Sequence, residues 1–174
     1  MCGDGSKTDG RVDGMDRLRQ FDYHKWATQR MLEHVQELGE TYYTQTGTSS
    51  FPSIRDTIAH VIGVEKLWFK RMNGAENPAF EQFDVETAEK AMDAFMLLHA
   101  EMELYFASLS EESWQQSFTY RNMKGLEFTH TRDEMLFTVI NHASYHRGQV
   151  TSLLRQFGQA GIPLDYIHFQ RKNR

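Results

Sequence analysis

Apolar residues recur at helical spacing through most of this chain, and the places where that rhythm breaks divide it into elements. From Met15 to about Leu38 the positions Leu18, Phe21, Trp26, Leu32, Val35 and Leu38 form an imperfect stripe, ended by Gly39. Tyr42 to Phe51 is rich in Thr and Ser and reads as a loop. A second helix starts where Ser53, after Pro52, can cap the backbone with Asp56 three residues on. Ile54, Ile58, Val61, Ile62, Val64, Leu67, Trp68, Phe69 and Met72 then cover so much of its circumference that a central position is expected, and Asn73-Gly74 closes it. After Asn77-Pro78 a third helix is predicted from about Val85 to Leu109, with Ala88, Met92, Phe95, His99, Met102, Phe106 and Leu109 on one face.

Between Ser113 and His130 the period changes. Phe118 and Tyr120, then Leu126 and Phe128, alternate with polar residues around Asn122-Met123-Lys124-Gly125, which predicts a small hairpin or extended insert. The last long helix opens on a capping box, Thr131-Arg132-Asp133-Glu134, and ends at Gly158. Its stripe is Met135, Val139, His142, His146, Val150, Leu153 and Phe157. Four long helices joined by modest loops make an all-α four-helix bundle the expected fold, with a less regular all-α domain as the alternative.

Length allows one domain: 174 residues bury enough surface to need no crosslink. Residues 1–14 are Gly- and Asp-rich with almost nothing to bury and are expected to be a disordered leader, with 15–174 as the bundle. Gly5-Ser6-Lys7-Thr8 lacks the order of a phosphate loop, and Asp4–Met15 lacks the Glu that ends a calcium loop. The single cysteine, Cys2, excludes an intramolecular disulfide and a cysteine-based zinc site. A net charge of −5 argues against nucleic-acid binding, and Arg171, Lys172 and Arg174 read as a solvated tail. No apolar run reaches membrane-spanning length and no signal peptide is visible, so a cytoplasmic location is expected.

Chemistry concentrates in the histidines. His142 and His146 lie one turn apart, about 40° around the axis and roughly 6 Å along it, so two imidazoles can converge on one ion. They also fall on the core stripe, where a polar ring needs a partner; the alternative is that one or both hydrogen-bond within the core or point to solvent at the edge of the stripe. His60 sits in register with Val64 and Leu67 on the second helix, and helices packed about 8–10 Å apart can bring it to the other two. A three-His set would leave an open coordination position, as reactive sites do. His99 faces the core as a satisfied histidine, a fourth ligand or a substrate-facing group. Glu65 reads as a surface carboxylate or a group near the ion that moves protons, and Arg147 as a surface salt-bridge partner or a guide for an anionic substrate. His24, His34, His130 and His168 are expected at the surface or at loop edges.

The segment Asn141-His142-Ala143-Ser144-Tyr145-His146-Arg147-Gly148-Gln149-Val150, followed by Leu153-Leu154-Arg155-Gln156-Phe157-Gly158, resembles the last helix of the DinB/YfiT-like family. Phe21-Asp22-Tyr23-His24-Lys25-Trp26-Ala27 is similar to its first-helix motif. Ile58-Ala59-His60-Val61-Ile62 with Glu65, Trp68 and Arg71 is similar to its second-helix motif, and Gly161-Ile162-Pro163 with Asp165-Tyr166 to its tail. The resemblance implies an up-down-down-up bundle and one divalent metal ion (zinc, nickel or iron, with copper also compatible with imidazoles) held by His60, His142 and His146. Thr138 stands where many relatives carry a further histidine that is not a ligand. The implied activity is a metal-dependent hydrolase or a low-molecular-weight-thiol S-transferase acting on a small molecule; the catalytic residues stay unassigned and a homodimer is compatible. The alternative is a non-enzymatic, stress-induced metal-binding protein in which the ion ties helices together.

Overall fold

The computed structural model describes residues 14–172, and side chains from 17 to 171. Residues 1–13 of the expected leader, Cys2 among them, lie outside the described residues, and Gly14 is the first residue of α1. Four long helices dominate: α1 (Gly14–Leu38), α3 (Ile54–Met72), α4 (Ala88–Ala107) and α6 (Arg132–Gln156). Three short helices join them, α2 (Glu40–Thr44), α5 (Glu111–Gln115) and α7 (Tyr166–Lys172), together with an antiparallel hairpin of β1 (Ser117–Arg121) and β2 (Glu127–Thr131).

The starts of the helices follow the local signals. Ser53 accepts from the Asp56 amide, Thr87 from the Lys90 amide, and Thr131 with Glu134 makes the full reciprocal box. Gly158 ends α6 with φ at +77°, a conformation only glycine adopts without strain. Thr87 caps α4 three residues later than the apolar pattern predicts. Val85 is instead a buried loop residue whose carbonyl accepts from the Tyr43 hydroxyl at 2.8 Å. The expected loop over 42–51 begins as α2, because Tyr43 is drawn completely into the core. Of the basic run at the C-terminus, Arg171 and Lys172 fall on α7, where Arg171 is exposed, and Arg174 lies outside the described residues.

Cross-helix contacts give the helix directions. Arg17 pairs with Asp133 and, further along both helices, Thr28 with Arg147, so α1 and α6 run parallel. Glu65 meets His99, Lys66 meets Glu101, and the Met72 carbonyl accepts from Tyr105, so α3 and α4 are parallel to each other. His60 faces His142 while the Met72 carbonyl accepts from Arg132, which makes α3 and α6 antiparallel. The order is up-down-down-up. Parallel α3 and α4 require the long crossing segment between them, and Gly63 makes room for it. A Cβ at Gly63 would meet the Phe80 ring at 2.2 Å. The core is continuous from Phe21, Leu32 and Val35 through Ile58, Ile62, Phe95, Met102 and Phe106 to Met135, Val139 and Leu153.

Candidate metal centre

Antiparallel packing of α3 on α6 brings three imidazoles together. His142 Nε2 lies 3.1 Å from His60 Nε2 and 3.1 Å from His146 Nε2. All three nitrogens fall within 4.8 Å of one another, a geometry that can hold a metal ion. His60 and His142 are half-buried and His146 is 5% exposed, so the cluster stands at the margin of the core and reaches solvent.

Protonation follows from the neighbours. His146 Nδ1 lies 2.8 Å from Gln149 Oε1, and Gln149 Nε2 donates to Ser50 Oγ at 2.8 Å. That orientation makes Nδ1 the protonated nitrogen of His146 and leaves an Nε2 lone pair facing the centre. Burial pushes His142 down to about 4, with the charges of His146 and His60 adding to it. Burial likewise lowers His60, helped by His146, and lowers His146. Near neutral pH the three rings are uncharged.

The donor set fits a cation better than it fits itself. His142 Nε2 faces two other ring nitrogens, and one N–H cannot serve both. His142 Nδ1 is buried without a hydrogen-bond partner, so moving the proton there satisfies no neighbour. A cation among three lone pairs resolves the crowded side of the cluster. Phe51 stacks on His60 with ring centroids 4.5 Å apart, closing one flank with the loop that also carries Ser50.

The DinB family model matches residues 12–174. The chain belongs to the DinB family. It is 29% identical over 157 residues to Protein DinB of Bacillus subtilis (strain 168), covering 86% of this chain and 90% of that one. Uncharacterized protein YizA of the same strain is 21% identical over 150 residues, covering 86% and 93%. Among solved structures, a DinB-like protein from Bacillus cereus ATCC 10987 superposes with a TM-score of 0.66 at 19% identity, covering 86% of this chain and 97% of that one. YfiT from Bacillus subtilis, described as a probable metal-dependent hydrolase with an unusual four-helix bundle topology, superposes at 0.65 with 12% identity, covering 88% and 94%. At such identities the two structures speak for the fold.

Other sequence expectations are corrected in this DinB-family bundle. His24, expected at the surface, is completely buried; it is the α1 residue that faces Glu65. Glu65 is likewise completely buried between His24 and His99. Arg147 is 5% exposed and makes no surface salt bridge: Nη1 donates to His24 Nδ1 and Thr28 Oγ1, and Nη2 to Ser144 Oγ. His99 is a core histidine with a partner, as one of its readings had it. His34, His130 and His168 are only partly buried. Gln149, Ser50 and Phe51 escaped the sequence reading. Gln149 follows His146 by one helical turn and was open to inference, whereas Phe51 and Ser50 reach the centre only through the fold.

Proposed function

We propose that this DinB-family chain binds one divalent metal ion through His60, His142 and His146 and is a metal-dependent enzyme acting on a small molecule. The observation that carries the reading is the convergence of three neutral imidazole Nε2 atoms at the edge of the core, with two of the rings partly open to solvent. An ion there would supply Lewis acidity toward a water, a thiol or a carbonyl. The chain's own contribution is orientation: Gln149 holds the His146 proton on Nδ1, Phe51 backs His60, and α3 and α6 fix the spacing. Zinc, nickel, iron and copper all suit three imidazoles.

The reaction is a hydrolysis or a low-molecular-weight-thiol S-transfer. The description of YfiT as a probable metal-dependent hydrolase favours the first. A net charge of −5 disfavours nucleic acid as the partner, and a second copy of the chain remains compatible with the bundle. The non-enzymatic reading, with an ion that only ties helices, is disfavoured by the exposure of His60 and His142, since a structural site is usually closed by four protein ligands.

The test is elemental analysis of protein purified without a histidine tag, with circular dichroism before and after chelation. One divalent ion per chain, lost in His142→Ala, together with a helical signal that survives chelation, supports a reactive centre on a self-sufficient core. No bound ion, or loss of most helix on chelation, would overturn it.

A further inference from the structure

Ser144, Arg147, Gly148, Thr151 and Arg155 recur along α6 in steps of three and four, so they share one face, about 180° around the axis from His142 and His146. Between that face and the chain that follows α6 lies a cavity of about 620 Å³, a size that suits a small organic molecule. Residues 161–165 form its outer wall, and the wall is tied down on both sides. Tyr23 donates to the Leu164 carbonyl at 3.0 Å, His34 Nε2 to the Ala160 carbonyl at 2.8 Å, and Gln159 to the Tyr42 hydroxyl at 2.7 Å. Gly161 permits a close approach to α6, since a Cβ there would stand 2.6 Å from Thr151 Cγ2. Gly148 does the reverse: a Cβ on it would meet nothing within 4 Å, so the helix leaves the space open.

Arg147 is the most deeply buried residue of the lining, at 5% exposed. Its Nη1 donates to His24 and Thr28 and its Nη2 to Ser144, which leaves the Nε hydrogen and one Nη2 hydrogen. No carboxylate lies within ion-pair distance of it among the described residues. Glu65 stands behind His24, 3.1 Å from the far ring nitrogen, and reaches the guanidinium only through the imidazole. Buried charges are as a rule paired and hydrogen-bonded; this one borders a cavity with donors unspent. The hydroxyls beside it cannot donate to a guest, because Ser144 donates to the Ile140 carbonyl and Thr151 to the Arg147 carbonyl.

We propose that this cavity is a second binding site, on the far side of α6 from the three-histidine centre, for a monocarboxylic acid with a small apolar body. The carboxylate pairs with Arg147, and the body lies against Ile162, Pro163 and Leu164. Arg17 shows the pairing within this chain, its Nε and Nη2 holding the two oxygens of Asp133 at 2.7 and 2.8 Å. Charge selects a monoanion. With histidine counted as neutral, Arg147, Arg155 and Asp165 leave the lining one positive charge in excess, and Glu65 behind His24 further disfavours a dianion such as phosphate. The site needs no ion at His60, His142 and His146.

The test uses the metal-free full chain, so that a carboxylate has no ion to ligate. Acetate, benzoate and 4-phenylbutyrate, each beside its uncharged amide, would be titrated while the backbone resonances of Gly148 and Gly161 are followed by ¹H–¹⁵N NMR. At least one acid should shift them with a dissociation constant on the order of 1 mM, ordinary for molecules this small. Its amide should bind at least about ten-fold more weakly, having lost a charge-assisted pair. Arg147→Gln should erase that preference. Gly148→Leu, which projects into the open space, should weaken the acid by at least about ten-fold while the melting temperature stays equal or rises, because leucine favours a helix over glycine. Should Arg147→Gln fail to fold, Gly148→Leu decides the matter with the guanidinium intact. No shift from any of the acids at roughly ten times that concentration, equal binding of acid and amide, or unchanged binding in Gly148→Leu would overturn the site. Inorganic phosphate moving the same resonances at lower concentration than every acid would overturn the monocarboxylate class.

Discussion

Acidification of the metal-free protein tests the buried network directly. His24 has no exposed surface, and burial pushes its imidazole from the ordinary 6.5 down to about 4, against the opposing pull of Glu65. The unfolded chain therefore takes up a proton at His24 as pH falls through 6.5, and the folded chain resists until about 4. Stability is fully present above 6.5 and declines through that window, by at most 1.36 kcal/mol for each pH unit from this one group. Taking the two values as they stand, the loss from His24 between pH 7 and pH 4.5 is about 2–2.5 kcal/mol. His60, His142 and His146 are lowered too and add losses of the same sign, while Glu65, lowered to about 2, adds its own below the ordinary carboxylate range. Urea unfolding with chelator present, followed by circular dichroism at half-unit steps from pH 7.5 to 4.5, gives the curve for the wild type and for His24→Gln. The glutamine variant is less stable at neutral pH, but its curve is flatter by about 2 kcal/mol over the window. If the two curves stay parallel, His24 is not buried in its neutral form and the reasoning fails.

Three further outcomes follow from named contacts. Gln149→Ala frees the His146 tautomer and is expected to lower zinc affinity by roughly 10–100-fold with little change in melting temperature, read by calorimetric titration. Phe106→Ala empties a core position that is 2% exposed and packed on Phe21, Phe69 and Trp114; a loss of about 3–5 kcal/mol in chemical denaturation is expected, and less than about 1 kcal/mol would mean that the helices close over the gap. Thr131→Ala breaks the capping box of α6 and should lower stability by about 1 kcal/mol at neutral pH without altering metal stoichiometry.

Much of this DinB-family bundle is written locally in the chain. Ser53 with Asp56 and Thr131 with Glu134 mark helix starts because a capping side chain bonds an amide only three residues away, a distance visible in any sequence. The apolar stripes, the hairpin alternation around Asn122–Gly125 and the one-turn spacing of His142 and His146 are local for the same reason. Ligand candidacy of His60 came partly from its place on an apolar helix and partly from family resemblance. That its Nε2 lies 3.1 Å from His142 is a product of antiparallel packing of α3 on α6. The other polar residues depended on tertiary structure entirely. Glu65 and Arg147 carry full charges, which on an isolated helix belong in water, and His24 lies on an imperfect stripe. Only when α1, α3, α4 and α6 close do the three find one another, and the Arg147–His24 and His99–Glu65 hydrogen bonds, with the close His24–Glu65 contact, then offset a desolvation that none could bear alone. α2 and α5 escaped notice similarly: five residues are too few for a helical period, and the burial of Tyr43 and Trp114 that anchors them is supplied by distant parts of the chain.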